Sequence, residues 1–411
     1  MITRTLNSAD LAIFGAPPLS ARRLPLGQHN FPDWERYEAR FRDIFARQYY
    51  TNHGPLAQAL EARLAEKLQV RHAMCVTTAS IALALSAQAL GLKGKVLVPG
   101  FSFVGTAQSL AWADAEVEFC DVSRETGHLT VETVEPHLRD GVSGILGVNL
   151  WGGAADLDGL SQLAAQRQVA LYFDSAHAFG CEVSSKISGE VSSKISSEAG
   201  REARNRPIGG FGRLEVISFH SANILSATEG AVICTNDDDL AAHVRNIRSN
   251  YGMGRPVPVG KTGNGRLSEA QAAIALMNLD DFPALVERNR RLYDTYSNLL
   301  DDVPGLRLCA PQGVSVSNYQ NVVCEIDARG FGLSRDALLA VLDAENVTAE
   351  GARGFGSQCR RADLPNTAHW CESILQLPIG AQVDTALIER IAAVIRAAQR
   401  HASQIAGKLG V

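Results

Sequence analysis

The chain has 411 residues, 46% hydrophobic and 20% charged, enough apolar material for a large core and enough length for two domains. A formal net charge of −5 excludes the basic surface of a nucleic-acid coat, and no run of about 18 apolar residues is present to span a membrane. Met1–Phe14 lacks the basic start and apolar centre of a signal peptide, so a cytoplasmic location is expected.

In chain order, residues 1–30 contain Pro17, Pro18 and Pro25 and read as an irregular N-terminal arm. Apolar residues then recur at helical spacing over Trp34–Ala46 and Leu56–Leu68. Strand-like runs follow at Ala73–Val76, Lys95–Val98, Glu116–Phe119, Gly144–Val148, Ala170–Phe173, Leu214–Phe219 and Ala231–Thr235, mostly separated by helical stretches. This alternation predicts an α/β large domain over 31–274, its mainly parallel sheet covered on both faces. The last strands have little helix between them, which suggests an antiparallel member at the edge. Ser268–Leu300 reads as a long helix broken at Pro283. A smaller C-terminal α/β domain, 275–411, is expected to hold short strands at Gly305–Cys309, Asn321–Ile326 and Val347–Thr348 and helices at Ser334–Leu342 and Thr385–Arg400. Eight scattered cysteines without a CxxC pair read as buried free thiols rather than metal ligands.

One stretch breaks the rhythm. Glu182–Ser188 (EVSSKIS) recurs as Glu190–Ser196, and polar sequence continues to Pro207. A tandem Ser- and Lys-rich copy is read as a duplicated surface loop inserted over 182–206. The other reading is a loop folded over the site, bringing Lys186 or Lys194 with it.

Three segments carry candidate chemistry. Thr77-Thr78-Ala79-Ser80 follows a strand and opens an apolar helix, where hydroxyls and free N–H groups suit a phosphate, although Thr and Ser are also ordinary caps. Asp174 ends an apolar strand, so its carboxylate lies either in the ligand crevice of a parallel sheet or on a helix as its cap. Facing a pyridine cofactor, it would keep the ring nitrogen protonated. Phe101 and Phe103 either supply an apolar face for such a ring or belong to the core.

Read together, these segments resemble the nucleotide-sugar aminotransferases of the DegT/StrS type, closest to the branch that aminates C-4 of a dTDP-linked 4-keto-6-deoxyhexose. The resemblance runs from about residue 10 to 300. It rests on Thr51–Leu56 (TNHGPL), Pro99–Thr106 (PGFSFVGT), Asn149–Gly152 (NLWG), Phe173–Gly180 (FDSAHAFG), Gly209–His220 (GGFGRLEVISFH), Thr228-Glu229-Gly230 and Gly263–Gln271 (GNGRLSEAQ). It implies a fold-type I enzyme dependent on pyridoxal phosphate (PLP) or its amine form (PMP), working as a homodimer with a shared site on a small-molecule substrate. Thr78, Ala79, Ser80 and Ser218 would hold the phosphate. Phe103 would stack on the ring, Asp174 would pair with its nitrogen, and His177 would lie beside it. Asn264 belongs to the segment contributed by the partner subunit.

The family pattern Ser-Phe-His-x-x-Lys reads here Ser218-Phe219-His220-Ser221-Ala222-Asn223. Asn223 stands at the position of the lysine that binds the cofactor covalently and shuttles a proton. A carboxamide is neither nucleophilic nor basic, so ordinary transamination through residue 223 is excluded. Four readings follow. PMP would be used without a covalent link, as in family members that dehydrate a keto sugar with His in place of Lys; here His220 or His177 would be the base. A second lysine, Lys261, Lys186 or Lys194, would substitute. The chain would be a catalytically silent binding or regulatory homologue. Or Asn223 is an introduced substitution that traps an intermediate. In the smaller domain the family's Pro-Leu-His-like motif is replaced by Glu350–Arg361, whose Arg353, Arg360 and Arg361 would meet a diphosphate or carboxylate, or lie solvated.

Overall fold

The computed structural model describes residues 5–184, 205–249, 261, 263–352, 354 and 361–411. The elements in chain order are α1 Trp34–Arg47, α2 Pro55–Leu68, β1 His72–Val76, α3 Ala79–Ala89, β2 Gly94–Pro99, α4 Val104–Trp112 and β3 Ala115–Cys120. Next come α5 Val131–Val134, β4 Val142–Val148, α6 Leu157–Arg167, β5 Ala170–Asp174, β6 Glu182–Ser184, β7 Asn205–Pro207, β8 Leu214–Ser218, β9 Ala231–Thr235, α7 Asp238–Ile247 and α8 Glu269–Leu300. The chain ends with β10 Leu306–Leu308, β11 Val322–Ile326, α9 Ala328–Phe331, α10 Arg335–Ala344, α11 Pro365–Ser373, β12 Ile374–Leu377, α12 Thr385–Arg400 and α13 Ala402–Leu409.

Seven strands form one sheet in the order β1-β9-β8-β5-β4-β2-β3. Five of them, β3, β2, β4, β5 and β8, run parallel, and β8 is buried along its whole length. A strand covered on both faces needs side chains apolar on both, which is why these segments read as continuous apolar runs. The antiparallel strand is β9, and it lies second from the edge rather than at it. The short 219–230 connection returns β9 beside β8, and β1 then pairs antiparallel with its free side, Met74 opposite Ile233. Helices α3, α4 and α7 cover one face through Leu83, Leu110 and Val244, while α6, α2 and α8 cover the other through Leu160, Leu64 and Leu276.

Helix α8 runs unbroken for 32 residues with Pro283 inside it, against the expected break. Proline removes one backbone bond, but apolar contacts hold the helix on either side. Leu276, Leu279 and Phe282 pack on the large sheet, and Leu292, Tyr296 and Leu300 enter a second core. That second core surrounds the antiparallel sheet β10-β11-β12. Val347–Thr348 is not one of its strands: Val347 makes a single bridge to Leu24, and the third strand is Ile374–Leu377. The N-terminal arm is anchored on this core by Leu11 and Leu19, and the Glu345 carboxylate accepts the N–H groups of Ala12 and Leu19, both at 2.7 Å.

Only the ends of the inserted repeat are described, β6 pairing with β7; Lys186, Lys194, Arg353 and Arg360 lie outside the described residues. Cys75, Cys120, Cys181, Cys234, Cys309 and Cys324 are free thiols, whereas Cys371 departs from that expectation and is disulfide-bonded. No helix among the described residues is long and apolar enough to cross a membrane.

Candidate active site

The carboxyl ends of β4, β5 and β8 meet at one crevice. Asp174, the last residue of β5, is buried there. Its Oδ2 accepts the Thr106 hydroxyl at 2.7 Å and its Oδ1 the Ala176 N–H at 3.2 Å. No helix follows it, so the capping alternative falls away and the carboxylate belongs to a turn. Burial pushes the Asp174 carboxyl upward, opposed by these two donors.

The two phenylalanines separate cleanly. Phe101 is fully buried, its ring 5.3 Å from Trp151 and 5.8 Å from Trp370, and is core. Phe103 is 55% exposed at the start of α4, beside Gly105 and Gly354. Thr78 caps α3, its hydroxyl accepting the Ile81 N–H at 3.3 Å; Ala79 is half-buried and Ser80 exposed. The first N–H groups of any helix have no partner within it, so this end of α3 still presents donors.

On β8, the Ser218 hydroxyl accepts the His220 N–H at 3.2 Å, which leaves its own O–H free to donate. Asn223 is buried and turned back into the protein: its Nδ2 donates to the Ser218 carbonyl at 3.3 Å, and its Oδ1 accepts from Gln320 Nε2 at 3.4 Å. Both amide orientations are fixed by backbone groups, since Gln320 Oε1 must accept the Ile224 N–H at 3.1 Å. Asn318 extends the link, accepting from Gln320 N and donating to the carbonyls of His177 and Phe179.

His177 is half-buried, and its Nδ1 accepts the Trp151 N–H at 3.4 Å. Burial, with His220 nearby adding to it, pushes the imidazole down to about 4, so it is neutral at physiological pH with its proton on Nε2. The contact depends on a left-handed Trp151, φ 54°, an unfavourable conformation for a bulky residue. His220 is exposed, with Nε2 3.7 Å from the Glu229 carboxylate. Below Asp174, Ser175 donates to the fully buried Glu215 and accepts from Asn149 Nδ2 at 2.8 Å; burial raises the Glu215 carboxyl to about 7.

Other expected residues lie apart. Lys261 is exposed and ion-paired with Asp114. Asp114 immediately precedes β3, at the amino end of the parallel strands, so the length of a six-residue strand, roughly 20 Å, separates that end of the sheet from the Asp174 crevice. Arg361 pairs with Asp363 on the surface, 2.6 Å away. Asn264 is exposed, and the neighbouring Gly265 carbonyl accepts the Thr77 N–H at 2.9 Å, which lays this segment along the end of α3. Thr106, Gln320 and Glu215 were not singled out from the sequence. Thr106 closes a quoted motif and was within reach; Gln320 is 97 residues from Asn223 and leaves no local signal.

The fold defines the class: an α/β enzyme of the aminotransferase type, with a crevice at the carboxyl ends of its central strands. Residues 33–396 match the DegT/DnrJ/EryC1/StrS aminotransferase family, and the chain belongs to it. A dTDP-4-amino-4,6-dideoxy-D-glucose transaminase of Shigella dysenteriae is 27% identical over 383 residues, covering 90% of this chain and 97% of that protein. The solved structure of DesI in the presence of its TDP-sugar product is 32% identical with a TM-score of 0.86, covering 98% of this chain and 100% of DesI. A GDP-4-keto-6-deoxymannose-3-dehydratase structure shares the fold at 18% identity and a TM-score of 0.77, covering 90% and 99% of the two chains.

Proposed function

We propose that this member of the family binds PMP or PLP without a covalent link and acts on a keto sugar, nucleotide-linked as in its relatives, by a lysine-free reaction such as dehydration. The observation that carries the reading is the contrast within one crevice. Asp174 keeps a buried carboxylate with lone pairs to spare for a pyridinium N–H, while the residue at the lysine position is an amide already bonded at both ends.

The residues fit the cofactor except at the covalent link. Asp174 would hold the ring nitrogen and Phe103 would cover a ring face. The Ser218 hydroxyl and the N-terminal N–H groups of α3, with Thr78, Ala79 and Ser80, would take the phosphate. When bound, the cofactor supplies an electron sink for the substrate carbon attached to it. Proton transfer then falls to a histidine. His220, exposed toward solvent and steadied by Glu229, suits this better than His177, whose burial makes it a weak base. A homodimer is part of the reading: the open groove of about 820 Å³ between α3 and α4 begins at Ser80 and Gly105 and exposes Trp112, and a second copy set there would place its Gly263–Gln271 segment by the site.

The engagement of the Asn223 amide at both of its ends also favours a second reading, a homologue that binds and does not turn over. The test is PMP affinity of the protein and of Asp174→Ala, followed by product analysis after PMP-loaded protein meets a dTDP-4-keto-6-deoxyhexose. Loss of affinity in the variant together with a changed sugar supports the enzyme. Affinity unchanged by Asp174→Ala overturns the placement of the ring, and tight binding with an unchanged sugar selects the silent homologue.

A further inference from the structure

Two histidines from different elements grip two consecutive backbone amides. His128, in the loop after β3, is 5% exposed, and its own backbone is tied back to Ser123 N and the Thr126 hydroxyl. Its Nε2 accepts the Leu150 N–H at 3.2 Å, and His177 Nδ1 accepts the next one, from Trp151, at 3.4 Å. A backbone amide can only donate, so the ring nitrogen it meets carries no proton. His128 is therefore fixed with its proton on Nδ1, where it has no partner among the described residues, and His177 with its proton on Nε2. Burial keeps both rings neutral.

The dipeptide between the rings is held in a costly shape. On one side the Asn149 N–H is bonded to the Asp174 carbonyl at 2.8 Å, and on the other the Gly152 carbonyl accepts the Ser317 hydroxyl at 2.9 Å. Between these pins Trp151 takes φ 54°, which a bulky side chain keeps only where its surroundings over-determine it. The N–H groups of Leu150 and Trp151 flank the one α-carbon of Leu150. If the first lost its acceptor it would be buried and unpaired, a cost the chain escapes by turning there. The second bond, the longer of the two and the one on the strained residue, gives way with it. We infer that His128 is a positioning residue for the crevice: through Leu150 it aims the Trp151 N–H at His177 Nδ1, and so obliges His177 to present a donor rather than a lone pair. The ligand atom that His177 takes is then an anionic or carbonyl oxygen and not an ammonium. The inference rests on His177 lying in the crevice three residues beyond Asp174, not on the reaction proposed there or on residue 223.

The experiment is done on the full chain without added ligand, with two readouts: nuclear magnetic resonance of 15N-labelled histidine rings, which reports the protonated nitrogen of His177, and residue-resolved amide hydrogen exchange. The His177 signals are assigned by their loss in His177→Gln. In the parent, His177 is expected as one tautomer with its proton on Nε2, and the Trp151 amide as protected. His128→Leu fills the space without an acceptor. It should speed exchange at Trp151 by about tenfold or more, beyond any change at the β8 amides that report general loosening, and should turn His177 into a mixture of tautomers. His128→Gln, whose amide oxygen can accept the Leu150 N–H, should return both signals to the parent's. If His128→Leu does not fold, His128→Asn, too short to reach Leu150, is read in its place. Equal acceleration at Trp151 and β8 with an unchanged His177 ring would make His128 a packing residue and overturn the inference. So would a His128→Gln protein that behaves like His128→Leu.

Discussion

Gln320 Nε2 donates to Asn223 Oδ1 at 3.4 Å, so the carboxamide of residue 223 is answered by a donor whose direction the backbone N–H of Ile224 dictates. A lysine there would set an amine against that donor. It would also be long enough to leave the pocket toward the crevice. Asn223→Lys is therefore expected to lower stability by about 1–3 kcal/mol through two lost amide bonds, seen as a lower melting temperature. The same variant should gain a visible absorbance with PLP and a borohydride-stable adduct at residue 223. Binding of PLP without an adduct would show that residue 223 does not face the cofactor.

Thr106 is the side-chain donor that opposes the upward push of burial on the Asp174 carboxyl. Thr106→Val removes that bond at nearly constant volume and should raise the carboxyl further. Since the ionised form is the one that pairs with a pyridinium, PMP affinity will fall away at a higher pH than in the parent. The loss near neutrality is expected to be roughly tenfold, the size of a bond to a charged group. A titration of affinity against pH identical to the parent's would exclude Thr106 from this role.

Glu215 has the opposite sign from an ordinary surface carboxylate. Its folded-state value of about 7 lies above the ordinary 4.5, so between these limits the folded chain keeps a proton that the unfolded chain releases. Stability contributed by this residue is therefore full below about pH 4.5 and lost as pH rises to 7. Glu215→Gln removes the titrating group; its Oε1 can still accept the Phe211 N–H, while its Nε2 meets the Ser175 hydroxyl as a donor, so that hydroxyl must turn to accept. Relative to the parent it should gain stability across that window, by at most about 3 kcal/mol; parallel denaturation curves at pH 5 and pH 8 would contradict this.

His128 and His177 act in the other direction. Burial lowers both from 6.5 to about 4, and each accepts a backbone N–H, from Leu150 and Trp151 respectively. Between these limits the unfolded chain binds protons that the folded chain refuses, so stability falls as pH drops from 6.5 toward 4. His128→Gln should flatten that decline in chemical denaturation measured across the window. An unchanged slope would mean that His128 is not held neutral by the fold.

Much of the large domain could be read from residues alone. Seven strand cores were recognisable because central parallel strands are apolar on both faces, and Asp174 stood out as a charged residue ending such a run. The signals that misled were local ones overruled at a distance. Pro283 breaks a helix in isolation, but α8 is packed on both sides of it. The antiparallel strand looked like an edge because sequence does not show that β1, from far upstream, adds outside β9.

Residue identity and short-range order were enough for the α/β class, the family and the absence of an amine at residue 223. That Phe101 is core while Phe103 is open, that Lys261 is tied to Asp114 at the far end of the sheet, and that Asn223 is satisfied by Gln320 emerged only in the folded chain. Those outcomes are set by which buried polar groups find partners across long separations, and the cost of leaving such a group unpaired is imposed only when the chain has closed around it.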